Sequence, residues 1–312
     1  TTSLNLDHKD LESGWELNEA IVLAAGIAGL FHDFGKANDL FQQKLQGKSG
    51  SKSEPFRHEW VSLRLFEAFV KQLPDQVWLQ SLLDISTAEN GQQANKHVIQ
   101  ACIQDDKSSP FASMHSQAPF AKLVAWLIVS HHRLPLPQTE ITKKINFNEG
   151  TDWLSSCFNC HWNSKNAEHL ASIDEAVKQA NWQFSSGTPF ISKTWQQKAT
   201  ELAKRALAYP KLQQDINWLE HSFVSHLARL SLMLSDHFYS SLPVEKCTQR
   251  WRDPTYKVIA NTDRKTAQLK QKLDEHNIGV AQNAYLFAKN LPALKYTLPT
   301  IAEHKLFSKK RL

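Results

Sequence analysis

One segment near the start of the chain is apolar on nearly all sides. Between residues 16 and 34, apolar residues recur at the three- and four-residue spacing of a helix, and further apolar residues stand between them. A helix with this pattern is expected to be buried on most of its surface. Gly35 is a residue suited to end it. We therefore expect a fold that surrounds this helix with protein.

The composition favours helices over sheets. The 312 residues include only ten Gly and 12 Pro, which is few for an all-β fold, while Leu, Ala, Gln and Lys are plentiful. No segment alternates convincingly enough between apolar and polar residues to require a strand. The hydrophobic share of 41% allows a large core. These observations together predict an all-α fold.

The sequence indicates a soluble, cytoplasmic protein. Its apolar stretches, residues 20–31 and 120–129, are shorter than the roughly 18 residues that a membrane span needs. The four cysteines are too few and too scattered for a disulfide framework. The chain opens on Thr with no charged and then apolar leader, so we expect no export signal and a segment of a longer or processed protein.

Further helices are predicted along the chain. Residues 58–73 form a second helix, residues 120–132 a third that ends before a run of alternating Pro, and residues 216–239 a last long one. The stretch at about 84–118 is polar and irregular, and we expect it to be an insertion over the surface.

Positive charge is concentrated in the last fifth of the chain. Residues 249–312 contain 13 Lys and Arg against five Asp and Glu, whereas residues 1–248 contain 23 against 26. Such a basic segment can follow a polyanion, or it can be a solvated helical face or a linker. We therefore divide the chain into a core, residues 1–248, and a basic C-terminal extension, residues 249–312.

Histidine and aspartate residues stand where the apolar helices are predicted to begin or end. Six of them come from four helices: His32, Asp33, His58, His131, His132 and Asp236. Any one of these histidines alone would more often be a core or surface residue. Imidazole and carboxylate ligands suit Mn, Fe, Co, Ni or Zn, and Mg less well, and a carboxylate can bridge two ions. Six ligands of this mixture fit two divalent metal ions.

The order of these residues resembles a known family. The run His32-Asp33-Phe34-Gly35-Lys36 after an apolar helix is similar to the HD-x-G-K signature of the HD superfamily of metal-dependent phosphohydrolases. The histidine pair, together with the segments FRHEWVSLRLFEAF and SHHRLP, is most similar to the HD nuclease domain of the CRISPR-associated helicase-nucleases of type I, subtype I-F. The resemblance covers residues 17–239 and implies an all-α HD fold with a dinuclear metal site at converging helix ends.

The resemblance also implies a role for each site residue. Asp33 would bridge the two ions, which would be Mn, Fe, Co, Ni or Mg. The remaining ligands divide into two sets, His32 with Asp236 for one ion and His58, His131 and His132 for the other. The family pattern has an additional early histidine, for which His8 is the candidate in this sequence. The alternatives are that the matching residue precedes Thr1, or that the ion nearest His32 has fewer ligands.

Two basic residues beside the ligands are candidates for phosphate contacts. Lys36 would contact a phosphate oxygen or stabilise the leaving group, and its alternative role is that of a cation at a helix C-terminus. Arg133 has the same two interpretations. Two metal ions would activate water for hydrolysis, so the resemblance requires no side-chain nucleophile.

The function implied by the resemblance is hydrolysis of single-stranded DNA in CRISPR type I interference. Its partners would be an RNA-guided surveillance complex, helicase and integration-partner domains of the same longer polypeptide, and a phage-encoded inhibitor. No P-loop motif occurs in the 312 residues, so an ATP-driven motor lies elsewhere. The alternatives are an HD phosphohydrolase of nucleotides or small phosphate esters, and a metal-poor, non-enzymatic HD scaffold that binds partners.

Overall fold

Helices surround one central helix in the fold. The computed structural model describes residues 14–48, 54–87, 89–104, 111, 114–134, 172–214, 216–247, 249–263 and 265–294. The helices of this part of the chain are α1 (Asn18–Phe31), α2 (Asp39–Leu45), α3 (His58–Val70), α4 (Asp75–Leu83), α5 (Asn90–Ala101), α6 (Pro119–Ser130), α7 (Glu175–Ala180), α8 (Lys193–Leu207), α9 (Ser222–Ser241) and α10 (Leu273–Leu294). The prediction of an all-α fold is confirmed.

Helix α1 is the centre of the core. Its residues from Ala20 to Phe31 are all buried, and α6, α8, α9 and α10 pack against it. The stretch Trp15–Ala37 is long and apolar enough to cross a membrane, but its most apolar window of 18 residues is wholly buried inside the fold, as in a core helix. At Gly29 a Cβ atom would lie 2.7 Å from the backbone of Ala281, so glycine is what allows α10 to approach α1 this closely.

Gly35 has a different role from the expected one. The α-helix ends at Phe31, and Gly35 lies in a following 3-10 turn, Phe34–Ala37, without the positive φ of a helix-ending glycine. A Cβ atom on Gly35 would lie 2.2 Å from the carbonyl oxygen of His58. The Gly35 amide also donates a hydrogen bond of 2.8 Å to Ser62 Oγ in α3. Gly35 therefore lets the start of α3 contact the end of α1.

A buried carboxylate fixes the beginning of α6. Asp75, at the start of α4, accepts hydrogen bonds from the backbone amides of Phe120 (2.8 Å) and Ala121 (2.9 Å) and from the indole of Trp78 (2.8 Å). These amides belong to the first turn of α6, which otherwise has no acceptors for them. Because α6 is buried along most of its length, this anchor also determines where its C-terminal end lies.

The stretch at about 84–118 is not a surface insertion in the residues that are described. Helix α5 packs against α3 and against the 3-10 turn Pro189–Ile191. Ile85, Val98 and Phe111 are buried in the common core. Helix α5 itself buries only Gly91 and Val98. Because most of its other residues are polar, the sequence of this helix shows little apolar periodicity.

Residues 249–294 share the core with the preceding residues, which differs from the expected basic extension. Helix α10 packs against α1 and α9, and Tyr256 and Val258 in the connection before it are buried. The carbonyl of Leu30 at the end of α1 accepts hydrogen bonds of 3.0 Å from Asn277 in α10 and from Trp195 in α8. The charge count of this region identified its basic side chains, but a charge count carries no information about packing. The remainder of the expected extension, residues 295–312, lies outside the described residues.

Two antiparallel bridges shape the connection before α10. They pair Ile259 with Lys272 and Thr262 with Leu269, and within the described residues they do not extend into a strand. Gln42 in α2 holds this hairpin, because its Nε2 donates to the Ile259 carbonyl (2.8 Å) and its Oε1 accepts from the Ile259 amide (3.0 Å). The hairpin is thereby fixed beside the end of α1.

Candidate metal centre

The six residues that the sequence singled out lie together where helix ends converge. They come from the end of α1, the start of α3, the end of α6 and the C-terminal half of α9. A seventh residue, His276 at the start of α10, joins them. The ligand atoms form two groups, each with all its atoms within 4.8 Å of one another: Asp33, His58, His131 and His132, and His32, Asp33, Asp236 and His276.

Asp33 belongs to both groups and presents one carboxylate oxygen to each. Its Oδ1 lies 3.3 Å from His58 Nε2 and 3.9 Å from His131 Nε2. Its Oδ2 lies 3.3 Å from His32 Nε2 and 3.2 Å from His276 Nε2. A carboxylate placed in this way can bridge two cations.

Backbone carbonyls orient two of the histidine rings. His32 Nδ1 lies 2.8 Å from the Gly29 carbonyl oxygen, and His131 Nδ1 lies 2.6 Å from that of Ile128. A carbonyl oxygen only accepts, so in each ring Nδ1 is the donor. In the neutral ring Nε2 then carries the lone pair and is directed into the site, which is the arrangement of a metal-binding histidine.

Several buried polar atoms of the site have no hydrogen bond within the described residues. They are Oδ1 of Asp33 and Nε2 of His32, His58, His131 and His276. Buried polar groups without partners are uncommon, and a set composed of imidazole and carboxylate atoms matches the ligands of divalent transition metals. The residues present therefore fit metal binding.

The charges of the site are strongly coupled. Burial lowers the pKa of His32, but the carboxylates of Asp33 and Asp236 outweigh burial and raise it to about 10. Burial raises the pKa of Asp33, but the charges of His32 and Lys36 hold it well below its usual range. Burial and the neighbouring imidazoles of His132 and His32 keep the pKa of His131 well below its ordinary value. Metal ions therefore compete with bound protons here.

Comparison with known proteins shows what this chain is similar to. No family model matches the chain. A CRISPR-associated nuclease/helicase Cas3 of subtype I-F/YPEST from Pectobacterium atrosepticum is 43% identical over 321 residues, which cover 99% of this chain and 28% of the relative. The protein of the same name from Pseudomonas aeruginosa is 38% identical over 313 residues, which cover 99% of this chain and 27% of the relative.

This chain is homologous to part of subtype I-F Cas3. The resemblance inferred from the motifs is confirmed, and the identity extends beyond residue 239 to almost the whole chain. The chain spans a little over a quarter of the length of the curated relatives that it matches.

Lys36 occupies an interior position in the candidate metal centre. Its ammonium group lies 2.6 Å from Asp33 Oδ2 and donates a hydrogen bond of 3.4 Å to Asn261 Oδ1 in the hairpin. The side chain is only 8% exposed, so Lys36 is not a solvated cation at a helix end. It adds a positive charge directly beside the carboxylate that both groups share. Its contact with a phosphate stays a prediction.

Within the described residues, the solvent-exposed ligands of the site lie on one side. The side chains of His132 and His58 are 31% and 17% exposed. The side chains of His32, Asp33, His131 and His276 are completely buried, and Asp236 is 5% exposed. Arg133, which directly follows His132, is exposed at this open side. Among these ligands, solvent therefore reaches His58 and His132 most readily.

Sequence reasoning missed His276 and proposed His8 for the ligand that it lacked. His8 lies outside the described residues. His276 Nε2 lies 3.3 Å from Asp236 Oδ1 as well as close to Asp33. The signal that could have revealed His276 is a polar run, Asp274 to Asn277, that immediately precedes an apolar helical stretch. All four residues of this run are completely buried.

Proposed function

We propose that this chain is a metal-dependent nuclease that hydrolyses phosphodiester bonds of single-stranded DNA. The observation that carries the proposal is the sharing of Asp33 by two four-residue groups, each of which can hold one ion. Sites with two metal ions about 3.5 to 4 Å apart are a recurring solution for phosphodiester hydrolysis. The names of the two relatives, which include nuclease, support the same activity.

The ligands would divide between two divalent ions. His32, Asp236 and His276 would hold one ion together with Asp33 Oδ2, and the second set, His58, His131 and His132, would hold the other together with Asp33 Oδ1. A ligand set so rich in imidazole favours Mn, Fe, Co or Ni over Mg. When bound, such a pair supplies activation of water at neutral pH and neutralises charge on phosphate oxygens.

The chain's own residues prepare this chemistry before substrate arrives. The backbone carbonyls of Gly29 and Ile128 hold His32 and His131 in the required ring orientation. Burial of both carboxylates excludes water from all but the open side, which strengthens every charge interaction inside. To Lys36 we assign contact with the substrate phosphate, because it adds positive charge where negative charge accumulates during the reaction.

The proposed substrate is a single strand because most of the ligands are buried. A flexible strand can bend so that its phosphate reaches buried ligands, whereas the backbone of a rigid duplex follows a wide cylinder. We propose that a helicase domain of the same longer polypeptide separates the strands, since the relatives are named nuclease/helicases. Within this proposal the protein acts in the cytoplasm in CRISPR type I interference, with an RNA-guided surveillance complex, an integration-partner domain and a phage-encoded inhibitor as partners.

The decisive experiment compares three substrates. The chain is stripped of metal with a chelator, supplied with Mn²⁺ or Co²⁺, and incubated with circular single-stranded DNA, the same circle as duplex, and free dNTPs. We expect cleavage of the single-stranded circle alone, with no effect of ATP. Efficient cutting of intact duplex would contradict the substrate assignment. Rapid hydrolysis of dNTPs without DNA cleavage would support a nucleotide phosphohydrolase instead, and absence of bound metal would support a scaffold.

A further inference from the structure

Two arginines flank the open side of the metal centre. Arg57 directly precedes His58, and Arg133 directly follows His132. The rings of His58 and His132 have their centroids 5.3 Å apart, so the start of α3 and the residues after α6 meet at this point. The side chain of Arg57 is 29% exposed and Arg133 is exposed. Both guanidinium groups are therefore attached to the part of the site that solvent reaches.

Arg57 and Arg133 place two positive charges next to the facing rings of His58 and His132. Bringing like charges together costs free energy, and an anion that lies between them removes this cost. Arginine suits a phosphate in particular, because its planar fork donates two parallel hydrogen bonds to phosphate oxygens.

Glu59 links Arg57 to a metal-binding residue. Its carboxylate is only 2% exposed, and its Oε1 accepts a hydrogen bond of 3.4 Å from Arg57 Nη2. The other oxygen, Oε2, lies 3.5 Å from His58 Nδ1. One buried anion thus orients both side chains.

We infer that Arg57 and Arg133 form a phosphate-binding pair for the DNA strand at the open side of the metal centre, with Glu59 as a positioning residue. The pair binds a backbone phosphate that neighbours the one to be cut. The strand therefore enters across His58 and His132 rather than from the side of His276. This inference rests on the proposed function, because it takes single-stranded DNA as the ligand.

The test measures DNA binding without catalysis. The chelator-treated chain is titrated into a fluorescein-labelled oligothymidylate, and anisotropy is followed at several salt concentrations. We expect Arg57→Gln and Arg133→Gln each to weaken binding about three- to tenfold and the double variant about ten- to fiftyfold. The slope of log affinity against log salt should become shallower by about 0.7 for each phosphate that the variant no longer neutralises.

Lys211→Gln is the matched control. Lys211 is a partly exposed cation that contacts the Glu16 carbonyl at the other end of α1, a 14-residue helix and therefore about 21 Å long. Glu59→Gln tests the positioning role, because it should weaken binding in the parent chain but add little in the Arg57→Gln background. A loss in both backgrounds would indicate a general structural role. Helical circular dichroism and thermal unfolding should match the parent in all variants.

The outcomes separate this inference from the proposed function. If the parent chain binds and cuts single-stranded DNA and the double variant binds with unchanged affinity and salt slope, the arginine pair is wrong and the nuclease proposal stands. If the parent chain neither binds nor cuts single-stranded DNA under any metal condition, both the proposed function and this inference are wrong. A loss of binding in the Lys211 variant equal to that of the arginine variants would show non-specific charge attraction and would also overturn the inference.

Discussion

His276 is the residue through which the structure most changes the expected metal site, and its substitution gives a quantitative test. Its Nε2 lies 3.2 Å from Asp33 and 3.3 Å from Asp236. Replacing His276 by Gln removes one of the four ligands in its group and keeps a polar side chain of moderate size. The group of His58, His131 and His132 keeps all its members, so the two ions should respond differently.

The expected loss follows from the number of ligands. Zinc sites with four protein ligands in small peptides have apparent binding free energies of about 10–16 kcal/mol, which is about 2.5–4 kcal/mol per ligand. A difference of about 1.4 kcal/mol is a factor of ten in affinity. One ion should therefore bind about 10²- to 10³-fold more weakly in His276→Gln, while the affinity of the other changes less than about tenfold because only the shared Asp33 couples the two groups.

Calorimetric titration of the chelator-treated chain with Co²⁺ resolves the two binding steps. His226→Gln is the control, because His226 is an exposed histidine of α9 outside both groups. The variant must first show the same thermal unfolding as the parent in the absence of metal. Two unchanged binding steps in a folded His276→Gln protein would refute the assignment of His276 as a ligand, and equal weakening of both steps would refute the division into two groups.

Three further predictions concern charge and stability. Asp33→Asn keeps the shape of the side chain but removes the charge that the two groups share. Both ions and more than 99% of the cleavage activity should therefore be lost, which corresponds to a rise of about 3 kcal/mol or more in the activation barrier. Metal analysis and cleavage assays would show the two losses. Without metal, His32 is protonated at pH 8 because its pKa is raised to about 10. Metal binding should therefore release close to one proton from His32, and metal affinity should rise with pH. Calorimetry in buffers of different ionisation enthalpy measures the number of protons released. Asp75→Ala leaves the amides of Phe120 and Ala121 without their acceptor, so the free energy of unfolding should fall by about 2–4 kcal/mol in denaturant titrations.

Local sequence patterns were sufficient to find most of the site. His32 and Asp33 follow directly after an apolar helix, and His131 and His132 stand at the end of another, so periodicity alone places each pair at a helix end. Their convergence could be inferred from the family motif, and the structure brings them together. The function of Gly35 could not be predicted in this way, because the atom that it accommodates, the His58 carbonyl oxygen, belongs to a different helix.

Features that depend on distant parts of the chain could not be predicted. Helix α5 buries only Gly91 and Val98, which is too weak a pattern to distinguish a packed helix from a polar surface segment. His276 falls in a region whose charge count is that of a basic extension, yet the hydrogen bond between Asn277 and Leu30 spans 247 positions of sequence. Such contacts are decided by tertiary packing, which propensity and periodicity do not report.

The place of His276 in the sequence also sets the moment at which the candidate metal centre can be complete. Asp33 leaves the ribosome before His276, which follows about 240 residues later, and at about 5–20 residues per second this is a delay of about 10 to 50 seconds. Until α10 has docked against α1, one group lacks a ligand and the core lacks one of its main helices. A chain that terminates before residue 276 therefore cannot complete the group of His32, Asp33, Asp236 and His276.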